Sequence, residues 1–145
     1  MTALKFEAAL QRRRQRGLPS APVLCSDTTV ALGRRILGKP EDAADAQRML
    51  RALSGNSHVV LTAVALGTAR KQAHTLSRSR VRFAPMTDAQ IRAYVATGEP
   101  MGKAGAYAVQ GRASAYIAEM QGSYTGIMGL PLFETANALR EFGFK

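Results

Sequence analysis

The spacing of apolar positions changes several times along the chain, and each change marks an element. From Ala3 to Gln15 the spacing is helical, with Leu4, Ala8 and Ala9 on one side, and Gly17-Leu18-Pro19 ends the pattern. A short apolar run from Pro22 to Ser26 predicts a buried strand that leads into "SDTTV". In "ILGKPEDAADAQRMLRAL" the apolar residues Ala46, Met49, Leu50 and Leu53 recur at core-facing helical intervals. Pro40 suits the first turn of that helix, and Glu41 and Asp42 complement its positive end. Two long strands follow, connected around Gly67 to Ala69; in the second, Arg78, Arg80 and Arg82 alternate with Ser79, Val81 and Phe83, so the arginines share a wet face. Thr87 caps a helix that runs through Thr97, with Ile91, Tyr94 and Val95 inward and Gly98 as its stop. "SAYIAEM" is strand-like, and Pro131 opens a last helix carrying Leu132, Ala136 and Leu139. A chain that alternates strands and helices normally opens on a strand, so the helix at its start suggests that something precedes it.

Composition narrows the class. The chain has 145 residues, 46% of them hydrophobic, which suits one domain with a sizeable core. Its net charge of +10 favours polyanionic partners such as nucleotides, nucleic acid or phosphate-rich surfaces. The basic run "QRRRQRG", carrying Arg12, Arg13, Arg14 and Arg16, has no interleaved aromatics, which argues for a solvated helix face and against a stacking surface for nucleic acid. Cys25 is the sole cysteine and sits in an apolar run, as a small core residue would. His58 and His74 stand apart, without the ligand spacing of a structural zinc site. No apolar stretch approaches the roughly 18 residues of a membrane span and no secretory core opens the chain, so a cytoplasmic protein is expected.

Three segments surround a few polar groups with small residues. "SDTTV" offers Asp27, Thr28 and Thr29. Asp27 either stops the strand before it through local hydrogen bonds or stands at the ligand crevice that open α/β sheets form beyond their strand ends. "LGKPEDA" sets Lys39 just before a helix, where its ammonium and free backbone N–H groups would meet one anion together. "GEPMGKAGAYAVQG" holds Glu99, Lys103, Tyr107 and Gln110 on a glycine-rich frame. Walker, dinucleotide and GxSxG patterns are absent from the sequence. A carboxylate to hold a metal or activate water, lysines to neutralise phosphates and an amide to read a base edge point to phosphate-ester chemistry on a nucleotide.

In this order, "SDTTVALGRRILGKPEDAADAQRMLRALSGNSHVVLTAVAL" and "YVATGEPMGKAGAYAVQGRASAYIAEMQGSYTGIMGLPL" resemble the Maf family of nucleoside triphosphate pyrophosphatases, from about Lys5 to the C-terminus. The resemblance implies an α/β fold, a mixed central sheet flanked by helices of the inosine-triphosphatase-like type, and hydrolysis of nucleoside triphosphates to monophosphate and pyrophosphate with Mg2+ or Mn2+. It implies that Asp27, in the "DT" motif, is the proton acceptor that activates water, that Lys39 of "GKP" lies near the phosphates, and that Lys5 of "LKFEAAL" also lines the site. "GKAGAYAVQG", with Lys103, resembles the branch that prefers dTTP and UTP, in which Thr28 and Gln110 match positions linked to substrate choice. A homodimer is usual in the family.

The chain departs from the family pattern at its start, where a strand and an SxSPRR loop that grips the triphosphate are missing. The expectation is therefore a single Maf-like domain over residues 1–145, shortened at the N-terminus. Either it works as the pyrophosphatase, or it is a catalytically impaired nucleotide-binding or interaction domain.

Overall fold

The computed structural model describes residues 2–145. Its centre is a five-stranded sheet in the order β2-β1-β3-β4-β5. The strands are β1 (Val23–Leu32), β2 (Arg35–Leu37), β3 (Ser57–Gly67), β4 (Gln72–Phe83) and β5 (Ile117–Gln121). Around them lie α1 (Thr2–Gln15), α2 (Ala43–Leu53), α3 (Asp88–Ala96), α4 (Tyr124–Met128) and α5 (Leu132–Glu141). The α/β class and the flanking helices are as expected, with every described strand pair antiparallel rather than mixed.

The strand expected over Pro22–Ser26 runs on to Leu32, so Asp27 lies mid-strand rather than beyond a strand end. Asp and Ser disfavour strands locally, but β1 pairs residue by residue with β3 from Val23↔Gly67 to Ala31↔Val59, and that ladder overrides local preference. β2 is short. It pairs only with Val30, Ala31 and Leu32, so among the described residues the other side of β1 from 23 to 29 is an open sheet edge.

Side chains alternate across the sheet. On one face Val30, Val60, Val81 and Phe83 join Leu50 and Leu53 of α2 and Ile91, Tyr94 and Val95 of α3 in the main core. Each large apolar side chain buried this way stabilises the fold by about 1.5–3 kcal/mol. The opposite face carries the exposed arginines Arg78, Arg80 and Arg82, as expected, and receives α1 at its other end. α1 buries Thr2, Phe6 and Leu10, and Phe6 and Leu10 pack with Ala65, Val23 and Cys25. The side that carries Leu4 is not the docked one: Leu4 is 70% exposed, and Phe6 and Leu10, four residues apart, form the stripe that docks. In α5 the buried residues are Thr135 and Ala138, on the side that meets β3 and β4, while Leu132 is exposed.

Capping follows the sequence closely in α3, where Thr87 and Gln90 form a reciprocal capping box. α2 differs from expectation. Asp42 is its N-cap and accepts from the Asp45 N–H at 2.7 Å, so the helix starts after Pro40 and not around it. No helix of the described residues is long and apolar enough to cross a membrane.

Candidate active site

Six residues singled out from the sequence, Lys5, Asp27, Thr28, Lys39, Lys103 and Gln110, line one cavity of about 370 Å³. They come from α1, β1, the turn after β2 and the long loop after α3. Asp27 and Thr28 are consecutive in a strand and so point to opposite faces. Both reach the cavity because it wraps around the open edge of β1. Ser26 and Val30 of the same strand, Val60 of β3, and Ile127 and Met128 of α4 complete the walls.

Three lysines and one carboxylate line this space among the described residues, which makes it electropositive. The Lys5 ammonium donates to Asp27 Oδ1, with the two side chains 51% and 23% exposed, so the pair is open to solvent and displaceable by a ligand. Lys39 meets the cavity without help from α2. The first-turn N–H of Asp45 is taken by Asp42, the Glu41 N–H donates to Asp45 at 3.0 Å, and these acidic groups would repel an anion there. The cavity lining that includes Lys39 contains no residue of α2.

The loop carrying Lys103 and Gln110 is pinned at several points. The Gly105 N–H donates to the Gly38 carbonyl at 3.1 Å, and Gly105, at φ +73, sits so close to β1 that a Cβ would meet Val30 at 3.0 Å. Ala106 follows in the left-handed region at φ +64, a strained position for a residue with a side chain. Glu99 closes the loop, accepting from the Tyr94 hydroxyl at 2.7 Å and from the backbone N–H groups of Arg112 and Ala113 at 3.0 and 3.4 Å. Burial alone would raise its pKa. The Tyr94, Arg112 and Ala113 hydrogen bonds and the Arg112 charge outweigh that and hold the carboxyl below its usual range. Glu99 therefore secures the loop and does not line the cavity.

Tyr107 serves both sides. It lines the cavity, while its hydroxyl meets His58 Nε2 at 2.7 Å and its ring packs edge-on against Phe83 with centroids 5.0 Å apart. His58 is buried at 1% exposure, and burial lowers its pKa to about 4, so it is a neutral core residue. Cys25 is half-buried against α1; burial pushes its thiol up against the lowering pull of Lys5, which keeps it an unreactive packing group. Thr28 Oγ1 lies 3.0 Å from the Thr62 hydroxyl, which donates to the Gly126 carbonyl at 2.6 Å. Thr62, Ile127 and Met128 were missed from sequence, although a lone hydroxyl within the apolar run "HVVLTAVAL" was a signal for Thr62.

A larger groove of about 690 Å³ runs between α1 and residues 18–23, lined by Ala8, Leu18, Pro22 and Val23 with Arg12, Arg13 and Arg16 at its rim. It holds no carboxylate. Arg12, Arg13 and Arg14 occupy the last turn of α1, where positive charge offsets the helix dipole, in keeping with a solvated helix face.

The site is an electropositive cleft at the open edge of β1 in an α/β sheet, with a lone carboxylate, three lysines and a glycine-framed amide, a lining suited to phosphorylated ligands. The chain belongs to the family described as Maf-like protein, which it matches over residues 1–142. It is 68% identical over 145 residues to a dTTP/UTP pyrophosphatase of Albidiferax ferrireducens, covering 100% of this chain and 72% of that protein. It is 65% identical to a dTTP/UTP pyrophosphatase of a Polaromonas species, with the same coverage of 100% and 72%. A dTTP/UTP pyrophosphatase of Nitrosomonas europaea is 52% identical over 143 residues, 99% of this chain and 69% of its own length.

Proposed function

We propose that this chain is a nucleoside triphosphate pyrophosphatase that hydrolyses dTTP and UTP to the monophosphate and pyrophosphate. The observation that carries the reading is the convergence of Asp27, three lysines, Thr28 and Gln110 from separate elements on one cavity. Asp27 takes a proton from water as the water oxygen bonds to the α-phosphorus. The bond from that phosphorus to the oxygen bridging to the β-phosphate breaks, and pyrophosphate leaves with the electron pair. Lys5, Lys39 and Lys103 stabilise the charge that grows on the phosphates. The Gln110 amide offers a donor and an acceptor, complementary to the carbonyl and N–H edge of uracil or thymine.

A divalent cation, Mg2+ or Mn2+, belongs to the proposal. Among the described residues no group of three or more His, Cys, Asp or Glu side chains gathers to hold one, and Asp27 is the lone carboxylate of the cavity. A hard cation would be held here mainly by the oxygens of the triphosphate itself, which leaves the Asp27 carboxylate free to take the proton. When bound, it would supply neutralisation of phosphate charge. The reading also carries a homodimer, from the family resemblance, together with the single domain that the chain's length suits and the cytoplasmic location expected from its apolar pattern.

A second reading, nucleotide binding without turnover, is favoured by the Lys5–Asp27 contact, which engages the group that the reaction needs. Phosphorus NMR of UTP with the chain and Mg2+ separates the two. Signals of UMP and pyrophosphate are expected; a calorimetric binding signal with UTP left intact would establish the second reading instead.

A further inference from the structure

Thr62 is fully buried in β3, outside the cavity, directly opposite Thr28 in the sheet register. Its hydroxyl has one hydrogen, and a carbonyl oxygen only accepts, so the 2.6 Å contact with the Gly126 carbonyl commits that hydrogen. The 3.0 Å contact between the two threonine hydroxyls then has a single sense: Thr28 donates and Thr62 accepts. A hydrogen bond that Thr28 Oγ1 makes to a ligand in the cavity is then one that it accepts.

The Gly126 carbonyl is held in place to receive that hydrogen. Gly126 belongs to α4, its N–H donates to the cap Ser123 Oγ at 2.9 Å, and a Cβ at this position would collide with Ser77 Oγ of β4. Only a glycine lets α4 sit this close to the sheet. The same carbonyl accepts from the Gly129 N–H at 3.2 Å, so both its lone pairs are in use.

We infer that Thr62 is a specificity-positioning residue: by fixing the sense of the Thr28 hydroxyl it makes the cavity select a pyrimidine that brings a ring N–H, and reject one that brings a bare ring nitrogen. This rests on the proposed pyrophosphatase reading. Uracil and thymine carry a hydrogen on N3, which Thr28 Oγ1 and the Gln110 amide oxygen would accept together. Cytosine presents a lone pair there, which would face the lone pairs of Thr28 with no hydrogen between them. Sites that read a buried polar group discriminate strongly because the wrong partner leaves atoms unpaired.

The test compares kcat/KM for UTP and CTP in the wild type, Thr62→Val and Thr62→Ser. Valine keeps the volume and removes both hydrogen bonds, which frees the Thr28 hydrogen to turn into the cavity. The expected result is a fall in the UTP-to-CTP ratio of about tenfold or more in Thr62→Val, with serine restoring the wild-type ratio. A Thr62→Val protein that loses UTP and CTP turnover in equal proportion would overturn the inference. An inert wild type would instead sink the pyrophosphatase reading, and the same ratio would then be read from calorimetric affinities for the two nucleotides. The wild type alone gives a check that needs no variant: N3-methyl-UTP, which lacks the ring N–H, is expected to be a far poorer substrate or ligand than UTP, and equal use of both would also overturn the inference.

Discussion

At the scale of residues, the chemistry is concentrated in a few groups with separable jobs. Glu99 holds three donors at once, and Glu99→Ala should lower stability by about 2 kcal/mol through the unpaired Tyr94 hydroxyl and backbone N–H groups. Thermal melts would register this, together with weaker UTP binding as the Gln110 loop loosens; an unchanged melting temperature would refute the clip. Asp27, Lys39 and Gln110 stood out in the sequence as polar residues among small ones, and the family resemblance supplied the roles expected of them. Thr62 was not, since an apolar strand gives no hint of which carbonyl a buried hydroxyl will meet. Glu99 was legible as a polar group but not as a fastener, because its partners lie 5 and 13 to 14 residues away along a folded loop.

At the scale of elements, the site depends on β1 and on the loop that crosses its edge. Gly105 touches Val30 and has φ +73, so Gly105→Ala adds a strained backbone and a collision with a buried side chain. A cost of about 1–3 kcal/mol is expected, together with a loss of UTP affinity larger than any loss in the melting temperature would explain. An alanine variant that binds UTP normally would contradict the close packing of loop and strand. Periodicity found α2, α3 and the β3–β4 hairpin because strong amphipathic patterns and turn residues agree there. It set no docking face for α1 and α5, whose apolar residues are spread around the helix. There the docking face is settled by partners on the sheet: Ala65 and Cys25 for α1, and β3 and β4 for α5. The length of β1 escaped local reading for the same kind of reason, as its continuation through Asp27 is a property of the ladder with β3.

At the scale of the whole molecule, charge and burial set the response to solution conditions. His58 is neutral in the fold, with its pKa lowered to about 4 from 6.5 by burial, so the unfolded chain binds the extra proton first. Stability from this group is complete above about pH 6.5 and is lost as pH falls towards 4. Glu99, held below its usual range, adds a loss in the same acid direction. Urea midpoints should therefore fall between these pH values, and the fall should be smaller in His58→Phe relative to its own value at neutral pH. A midpoint that rises on acidification would contradict the buried neutral histidine. The net charge of +10 and the lysine-lined cavity imply that triphosphate affinity declines as salt increases.

The central claim is that Asp27 activates water in a cavity that binds the triphosphate through other groups. Initial rates of pyrophosphate release from UTP, measured side by side for the wild type and Asp27→Asn with Mg2+, test it most directly. Loss of at least about a hundredfold in kcat is expected, with UTP affinity within a few fold of the wild type because the lysines and Gln110 are untouched. Turnover by Asp27→Asn at the wild-type rate would contradict it.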